Sequence, residues 1–284
     1  MTPSLTKSGA TSPMPAVFIG HGSPMNAIEE NAFRKQWQDL GQALPKPRTI
    51  LCISAHWHTR GVRLTGSGSP ATIHDFFGFP QKLFKVDYKA KGNLLLARHI
   101  VDLLGGQKHA QVDATRGLDH GAWSVLRGMY PRADVPVVQM GIDVTQPGEY
   151  HYELGAKLAP LRDEGVLVMG SGNIVHNLAL WDWHNPKPLE WAMRFDAAVK
   201  RRIVKREHIE LVDWMRMGED ARLSVPTPEH YLPLLYILAL QRDGDIARFV
   251  NEEVVGGLSM TSVVIEPGRV RARAPARAAA KAVG

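Results

Sequence analysis

AVFIGHGSPMNA, residues 16–27, is the stretch that decides the fold, because its apolar run stops abruptly at Gly-His-Gly-Ser-Pro. A short apolar run bounded by turn residues is typical of a strand buried on both faces. Strands of this kind that alternate with helices predict an α/β fold with a mainly parallel or mixed central sheet flanked by helices. Four later runs have the same character, and they are TILCISAH (49–56), VPVVQMGI (135–142), GVLVMGSG (165–172) and SMTSVVIE (259–266).

Other segments carry apolar residues at helical spacing. We find no internal repeat and no linker between domains, so we expect one domain over residues 15–266. A flexible N-terminus (1–14) and a basic, disordered tail (267–284) are expected to flank it. The predicted helical segments are AIEENAFRKQWQDLGQAL (27–44), GNLLLARHIVDLLGG (92–106), PLEWAMRFDAAVKRRIVKRE (188–207) and EHYLPLLYILALQRDGDIARFVNEE (229–253).

Composition narrows the class of protein. Five of the 34 lysines and arginines lie in the last eighteen residues, which leaves 29 against 28 acidic residues elsewhere. The body is therefore nearly neutral, and no nucleic-acid partner is expected. A single cysteine, Cys52, excludes an intramolecular disulfide framework and a cysteine-rich zinc site. Without a signal-peptide pattern or a run of about 20 apolar residues, we expect a cytoplasmic protein with no membrane contact.

Three of the twelve histidines lie at or just beyond the carboxyl ends of predicted strands, namely His21, His56 and His176. In open α/β sheets, ligands bind in the crevice outside these strand ends, so the three side chains can converge. His230 follows Pro228 in the first turn of a predicted helix, where the helix dipole disfavours a charged imidazole and a neutral, metal-bound one fits better.

Each of these histidines alone has a simpler interpretation. His21 could belong to a phosphate-binding turn, His56 could be a hydrogen-bonded core residue, and His176 could lie one turn into a helix that binds an anion. Together, the four predict a metal centre, because neutral imidazoles are common metal ligands. With few oxygen or sulfur ligands available, zinc or non-haem iron(II) is the expected metal.

Six motifs in order resemble the 4,5-DOPA extradiol dioxygenase-like family of class III extradiol ring-cleaving dioxygenases. The resemblance covers about residues 15–266 and implies a single α/β catalytic domain with a metal at the carboxyl edge of the sheet. It also implies O₂-dependent opening of a catechol ring beside its two hydroxyls. The motifs are GHGSPMNA, SAHW, TIHDFFGFP, GLDHGAW, GSGNIVHN and TPEHYLPLL.

The resemblance implies a role for each matching residue. His21, His56 and His230 would be metal ligands, and His176 would be a fourth ligand or the nearby acid/base. We favour His176 as the free base, with His120 in GLDHGAW facing substrate or oxygen. The expected pocket residues are Ser23, Trp57, Phe76 and Phe77, with Phe79 adding apolar surface.

The ligand set departs from the two-histidine, one-carboxylate pattern common in non-haem iron oxygenases, and Glu229 is the nearest candidate carboxylate. We expect Fe(II) for activity, with Zn(II) as another metal that the site could bind. A zinc hydrolase with His176 or His120 as base is the alternative, although HExxH is absent. A binding protein with a structural zinc is a third interpretation. The substrate's identity and the oligomeric state stay open.

Overall fold

A mixed eight-stranded sheet forms the centre of the computed structural model, which describes residues 12–182, 184 and 186–268. The predicted flexible N-terminus (1–14) and basic tail (267–284) lie almost wholly outside the described residues. The strands are β1 (Ala16–Gly20), β2 (Thr49–His58), β3 (Val62–Thr65), β4 (Ala110–Asp113), β5 (Val137–Ile142), β6 (Val166–Gly172), β7 (Asp245–Val250), β8 (Val254–Val255), β9 (Leu258–Ser259) and β10 (Ser262–Pro267).

The strand order in the main sheet is β4-β3-β5-β2-β6-β1-β10-β7, and β8 pairs with β9 apart from it. The four central strands β5, β2, β6 and β1 are parallel, whereas β10 and β7 add antiparallel pairs at one side. This arrangement confirms the predicted α/β class with a mixed sheet. All five predicted strands are present in the main sheet, where the prediction missed β3, β4 and β7; it also missed the short pair of β8 and β9.

The helices of the described chain cover both faces of the sheet. Alternate residues of β1 face different sides, with Phe18 in one hydrophobic cluster and Val17 in the other, which explains the continuous apolar run. None of these helices is long and apolar enough to cross a membrane. The helices are α1 (Ala32–Ala43), α2 (Gln81–Phe84), α3 (Leu94–Leu103), α4 (His120–Met129), α5 (Gly148–Lys157), α6 (Glu190–Lys205), α7 (His208–Val212), α8 (Glu219–Ser224) and α9 (Leu232–Leu238).

Two helix predictions were wrong in extent, and the helix considered as an alternative after GSG is not present in the part of the chain that the structure describes. The first helix begins only at Ala32, because the Asn31 side chain accepts a hydrogen bond from the Arg34 amide at 2.9 Å and caps it. The last predicted helix ends at Leu238, and residues after Gly244, whose φ is +82°, form strand β7 instead. The described residues 173–182 that follow GSG are not helical, and His176 forms an isolated bridge with Leu258.

Candidate metal centre

The Gly-His-Gly sequence allows other segments to approach the end of β1 closely. A Cβ atom on Gly20 would lie 2.5 Å from the backbone oxygen of Met260, and Gly22 has a φ of +57°. Gly172, at the end of the neighbouring β6, has the same function, since its Cβ would lie 2.1 Å from the backbone oxygen of His230. These glycines therefore let the chain on either side pack directly against the strand ends.

Hydrogen bonds fix the tautomer of His21. The hydroxyl of Ser171 donates to the carbonyl oxygen of Gly121 at 2.6 Å, so its oxygen must accept from Nδ1–H of His21 at 3.0 Å. The Nε2 atom of His21 consequently carries the lone pair. It lies 3.1 Å from Nε2 of His56, at the end of β2.

His230 presents its Nε2 atom in the same way. Its Nδ1 atom lies 3.3 Å from Oε1 of Glu229, which can only accept a hydrogen bond when ionised. This contact leaves the lone pair on Nε2, which is buried and has no hydrogen-bond partner. His230 itself lies in the turn before α9, not in the first helical turn as the sequence predicted.

The three histidines together fit a divalent metal ion. One ring nitrogen from each of His21, His56 and His230 lies within 4.8 Å of the others, although the three residues are distant in sequence. A buried nitrogen without a partner is costly, and one cation shared by the three lone pairs would satisfy it. Glu229 contacts Nδ1 of His230 and not Nε2. It therefore orients this ring and is not itself one of the three potential ligands.

Electrostatics keep the three imidazoles neutral. Burial, and then the neighbouring His56, lowers the pKa of His21 well below its ordinary value. Burial, and then His176, does the same for the pKa of His230. Burial, and then His120, lowers the pKa of His56 to about 3. Neutral imidazoles with free lone pairs at neutral pH are the form that binds metals.

Two further histidines border this cluster. The ring of His176 stacks on that of His230, with centroids 3.5 Å apart and planes 4° apart. Burial lowers the pKa of His176 to about 4, although Glu229 opposes this shift. The ring of His120, the first residue of α4, lies 3.9 Å from that of His56. His176 belongs to a separate group of potential metal ligands, together with Glu229 and His230, and is not part of the group of His21, His56 and His230.

Asp75, which was not among the residues predicted for the site, contacts two of these histidines. Its Oδ1 atom accepts the backbone N–H of His120 at 2.9 Å and lies 3.1 Å from Nδ1 of the same residue. Its Oδ2 atom lies 3.9 Å from Nδ1 of His56. Burial alone would raise the pKa of Asp75, but the contacts with His120 hold it below its ordinary value. Its position inside the motif TIHDFFGFP is the sequence feature that could have identified Asp75 as a site residue.

A cavity of about 450 Å³ opens onto the five histidines. Ser23, Phe76 and Phe77 lie in its wall. Trp57 is not among the described residues that line this cavity, because neighbouring strand residues face opposite sides, and its buried ring lies under the guanidinium of Arg116. The apolar part of the wall consists of Pro24, Phe33, Phe76, Phe77, Phe79, Leu178, Trp181, Val255, Leu258 and Met260.

Comparison with known proteins gives a consistent result. Residues 12–257 match the sequence profile of the family described as the catalytic LigB subunit of aromatic ring-opening dioxygenase. The chain is 47% identical to a 4,5-DOPA dioxygenase extradiol from Escherichia coli (strain K12) over 257 residues, which cover 89% of this chain and 94% of that protein. A protein of the same name from Beta vulgaris is 36% identical over 247 residues, covering 85% and 92%.

Solved structures agree with this match. A crystal structure of an uncharacterized protein from Escherichia coli K12 superposes with a TM-score of 0.78 at 42% sequence identity. The aligned region covers 89% of this chain and 99% of that chain. The fold expected from the sequence is therefore also found in a solved structure.

Proposed function

The chain belongs to the family of the catalytic LigB subunit of aromatic ring-opening dioxygenase, and we propose that it opens a catechol-type ring beside the two hydroxyls. The names of its relatives make DOPA-like catechols the first compounds to test. In the reaction, one ring carbon–carbon bond breaks and both atoms of O₂ enter the product, so no further reductant is consumed.

The observation that carries the proposal is that ring nitrogens of His21, His56 and His230 lie within 4.8 Å of one another, and that all three residues line the cavity. We assign these three residues as the metal ligands and Fe(II) as the active metal. When bound, Fe(II) would supply the redox chemistry that couples the aromatic ring to O₂. Three protein ligands leave coordination positions free, as a catalytic centre requires.

We assign proton transfer to His176. Its imidazole is neutral at pH 7, because its pKa is about 4, and it borders the cavity beside His230. A neutral ring nitrogen can accept a proton from a catechol hydroxyl and later return it. Stacking on His230 fixes the ring orientation without using either ring nitrogen.

We assign His120 and Asp75 a supporting role at the opposite side of the cluster. Asp75 holds the first turn of α4 through the His120 amide, and it lies beside Nδ1 of that ring. This arrangement directs the Nε2 edge of His120 away from the carboxylate, where it can donate to or accept from an oxygen atom of the substrate or O₂.

The test is anaerobic reconstitution of the purified protein with Fe(II), followed by a catechol and then O₂. We expect a yellow ring-opened product, 32 mass units heavier than the catechol, that requires both iron and oxygen. Zinc-loaded protein is the matched control and is expected to be inactive. Hydrolysis of an ester or amide substrate by the zinc-loaded protein without O₂ would instead favour the hydrolase alternative.

A further inference from the structure

Asp119 carries a fully buried carboxylate that has no part in the chemistry assigned above. It precedes His120 and caps α4, because its Oδ1 atom accepts from the Ala122 amide at 3.1 Å. The same oxygen accepts from the Ser54 hydroxyl at 2.7 Å, and Oδ2 accepts from the side-chain amide of Gln139. Asp119 is not among the described residues that line the cavity, so its role there must be indirect.

Ser54 links this carboxylate to the metal ligand His56. Its hydroxyl oxygen accepts the backbone N–H of His56 at 3.3 Å while its hydrogen is donated to Asp119. The first turn of α4 packs directly against the same place. A Cβ atom on Gly121 would lie 2.5 Å from Oγ of Ser54 and 2.9 Å from Cδ2 of His56. The helix that Asp119 caps is therefore in contact with the ring of this ligand.

Ser171 links the same helix turn to a second ligand, His21. It pairs with Ser54 in the register of β2 and β6, so the two serines lie side by side on neighbouring strands. Its hydroxyl donates to the carbonyl oxygen of Gly121 and accepts Nδ1–H of His21. One capped helix end thus contacts two ligands from distant parts of the chain.

We propose that Asp119 is a positioning residue of the metal centre. It fixes the backbone of His56 through Ser54, and it fixes the ring of His21 through the first turn of α4 and Ser171. The inference rests on the ligand assignment made under the proposed function. Groups that orient metal ligands in this way affect metal affinity by about 10–100-fold, although they do not contact the metal.

The hydrogen bonds around Asp119 make Asp119→Asn a specific test. Oε1 of Gln139 accepts the backbone N–H of Asp119 at 3.1 Å, so the NH₂ group of Gln139 must face the Asp119 side chain. The Ala122 N–H faces the other side-chain oxygen. An asparagine would place its own NH₂ group against one of these donors in either orientation, and a buried donor without an acceptor is costly.

A second substitution should repair this defect. In the double variant Asp119→Asn with Gln139→Glu, the carboxylate moves to residue 139. It can accept both the backbone N–H and the side-chain NH₂ of residue 119, while the asparagine oxygen accepts from Ser54 and Ala122. The wild-type pattern of hydrogen bonds is restored with the charge on the other partner.

The measurement is zinc affinity without O₂, determined by competition with a chelator. We expect Asp119→Asn to weaken zinc binding by about 10–100-fold and the double variant to regain most of this loss. Asp245→Asn is the matched control, because it removes another buried carboxylate, the partner of Arg162. It should lower stability in urea and leave zinc affinity unchanged. The absorption spectrum of Co(II)-loaded protein should change in Asp119→Asn and not in Asp245→Asn.

Three results would overturn the inference. They are unchanged zinc affinity in Asp119→Asn, an equal loss of affinity in Asp245→Asn, and a double variant that regains stability without regaining affinity. If Asp119→Asn does not fold, Ser54→Ala decides, because it removes only the hydroxyl between Asp119 and His56. It should weaken zinc binding, and unchanged affinity would overturn the inference.

These failures differ from failure of the ligand assignment. In each of them wild-type protein still binds zinc and His56→Ala does not, so the assignment stands without a positioning role for Asp119. Wild-type protein that binds no zinc overturns the ligand assignment and this inference together.

Discussion

Buried histidines with a lowered pKa occur in more than one part of this molecule, and among the described residues the cluster around His230 alone has the features of a metal centre. His151, in α5, is fully buried, and burial lowers its pKa to about 4. Its Nδ1 atom lies 2.8 Å from the hydroxyl of Tyr236, and its Nε2 atom has no partner. His230 is also buried, with a lowered pKa and an Nε2 atom without a partner.

The difference lies in what surrounds the free nitrogen. The ring nitrogens of His21 and His56 lie close to that of His230, whereas among the described residues no metal-binding group of three includes His151. Burial and a low pKa therefore do not distinguish a ligand from a packed core residue. Convergence of several lone pairs does.

The largest expected effect comes from His56→Ala. Removing one of three ligands should abolish stable metal binding and reduce turnover to background, measured by metal content after dialysis and by oxygen uptake. His151→Ala is the matched control, because it removes a buried histidine outside the cluster and should leave metal content unchanged. Full metal occupancy in His56→Ala would contradict the ligand assignment.

His176→Ala should separate chemistry from metal binding. We expect kcat to fall by about 10²–10⁴-fold, because a positioned acid/base contributes about this much. Metal content should stay at the wild-type level. Loss of metal in this variant would indicate that His176 is itself a ligand. The metal site would then not be limited to His21, His56 and His230.

Glu229→Gln should have an intermediate effect. The carboxylate beside Nδ1 of His230 fixes this ring, and loss of such a partner weakens metal binding by about 10–100-fold. Competition with a chelator measures this change. Unaltered metal affinity would show that the Glu229 contact does not orient His230.

The pH dependence of stability should reflect both regions in metal-free protein. His151 and His176 have pKa values of about 4 in the folded chain, against about 6.5 when unfolded. Below pH 6.5 the unfolded state binds more protons, so the free energy of unfolding should fall as pH decreases toward 4. The slope is about 1.4 kcal/mol per pH unit for each neutral histidine.

Denaturant unfolding between pH 7 and 5 measures this slope. Saturating zinc should add to stability and make it more pH-dependent, because protons compete with the metal. A free energy of unfolding that is constant over this range would contradict the pKa shifts.

Tyr236→Phe should have the smallest effect. It removes the hydroxyl that contacts His151 and should lower stability by about 1 kcal/mol, measured by urea unfolding. Metal affinity and turnover should not change. A change in either would link the core histidine to the cluster.

The sequence predicted the central part of the fold well, because β1, β2, β5 and β6 are buried on both faces and read as apolar runs. Strand-end histidines follow from the same pattern. The edge strand β4 and its neighbour β3 were missed, since AQVD and VRLT are short and partly polar. Strand β7 was included in a predicted helix because its apolar residues continue from α9 in sequence.

Local patterns could not reveal contacts between distant segments. Ser171 fixes the tautomer of His21 across 150 residues, and Asp75 supports His120 across 45. Trp57 is a different case, because strand alternation already places it on the side opposite His56. The candidate ligands were thus accessible from sequence, while the residues that orient them required the fold.

The most direct test of the central claim is an anomalous difference map from crystals of the protein reconstituted anaerobically with Fe(II). We predict one strong peak bound by ring nitrogens of His21, His56 and His230. The described residues include two other groups of potential ligands, His56 with Asp75 and His120, and His176 with Glu229 and His230. A principal peak in either of these groups, or no peak at the set of three, would contradict the account.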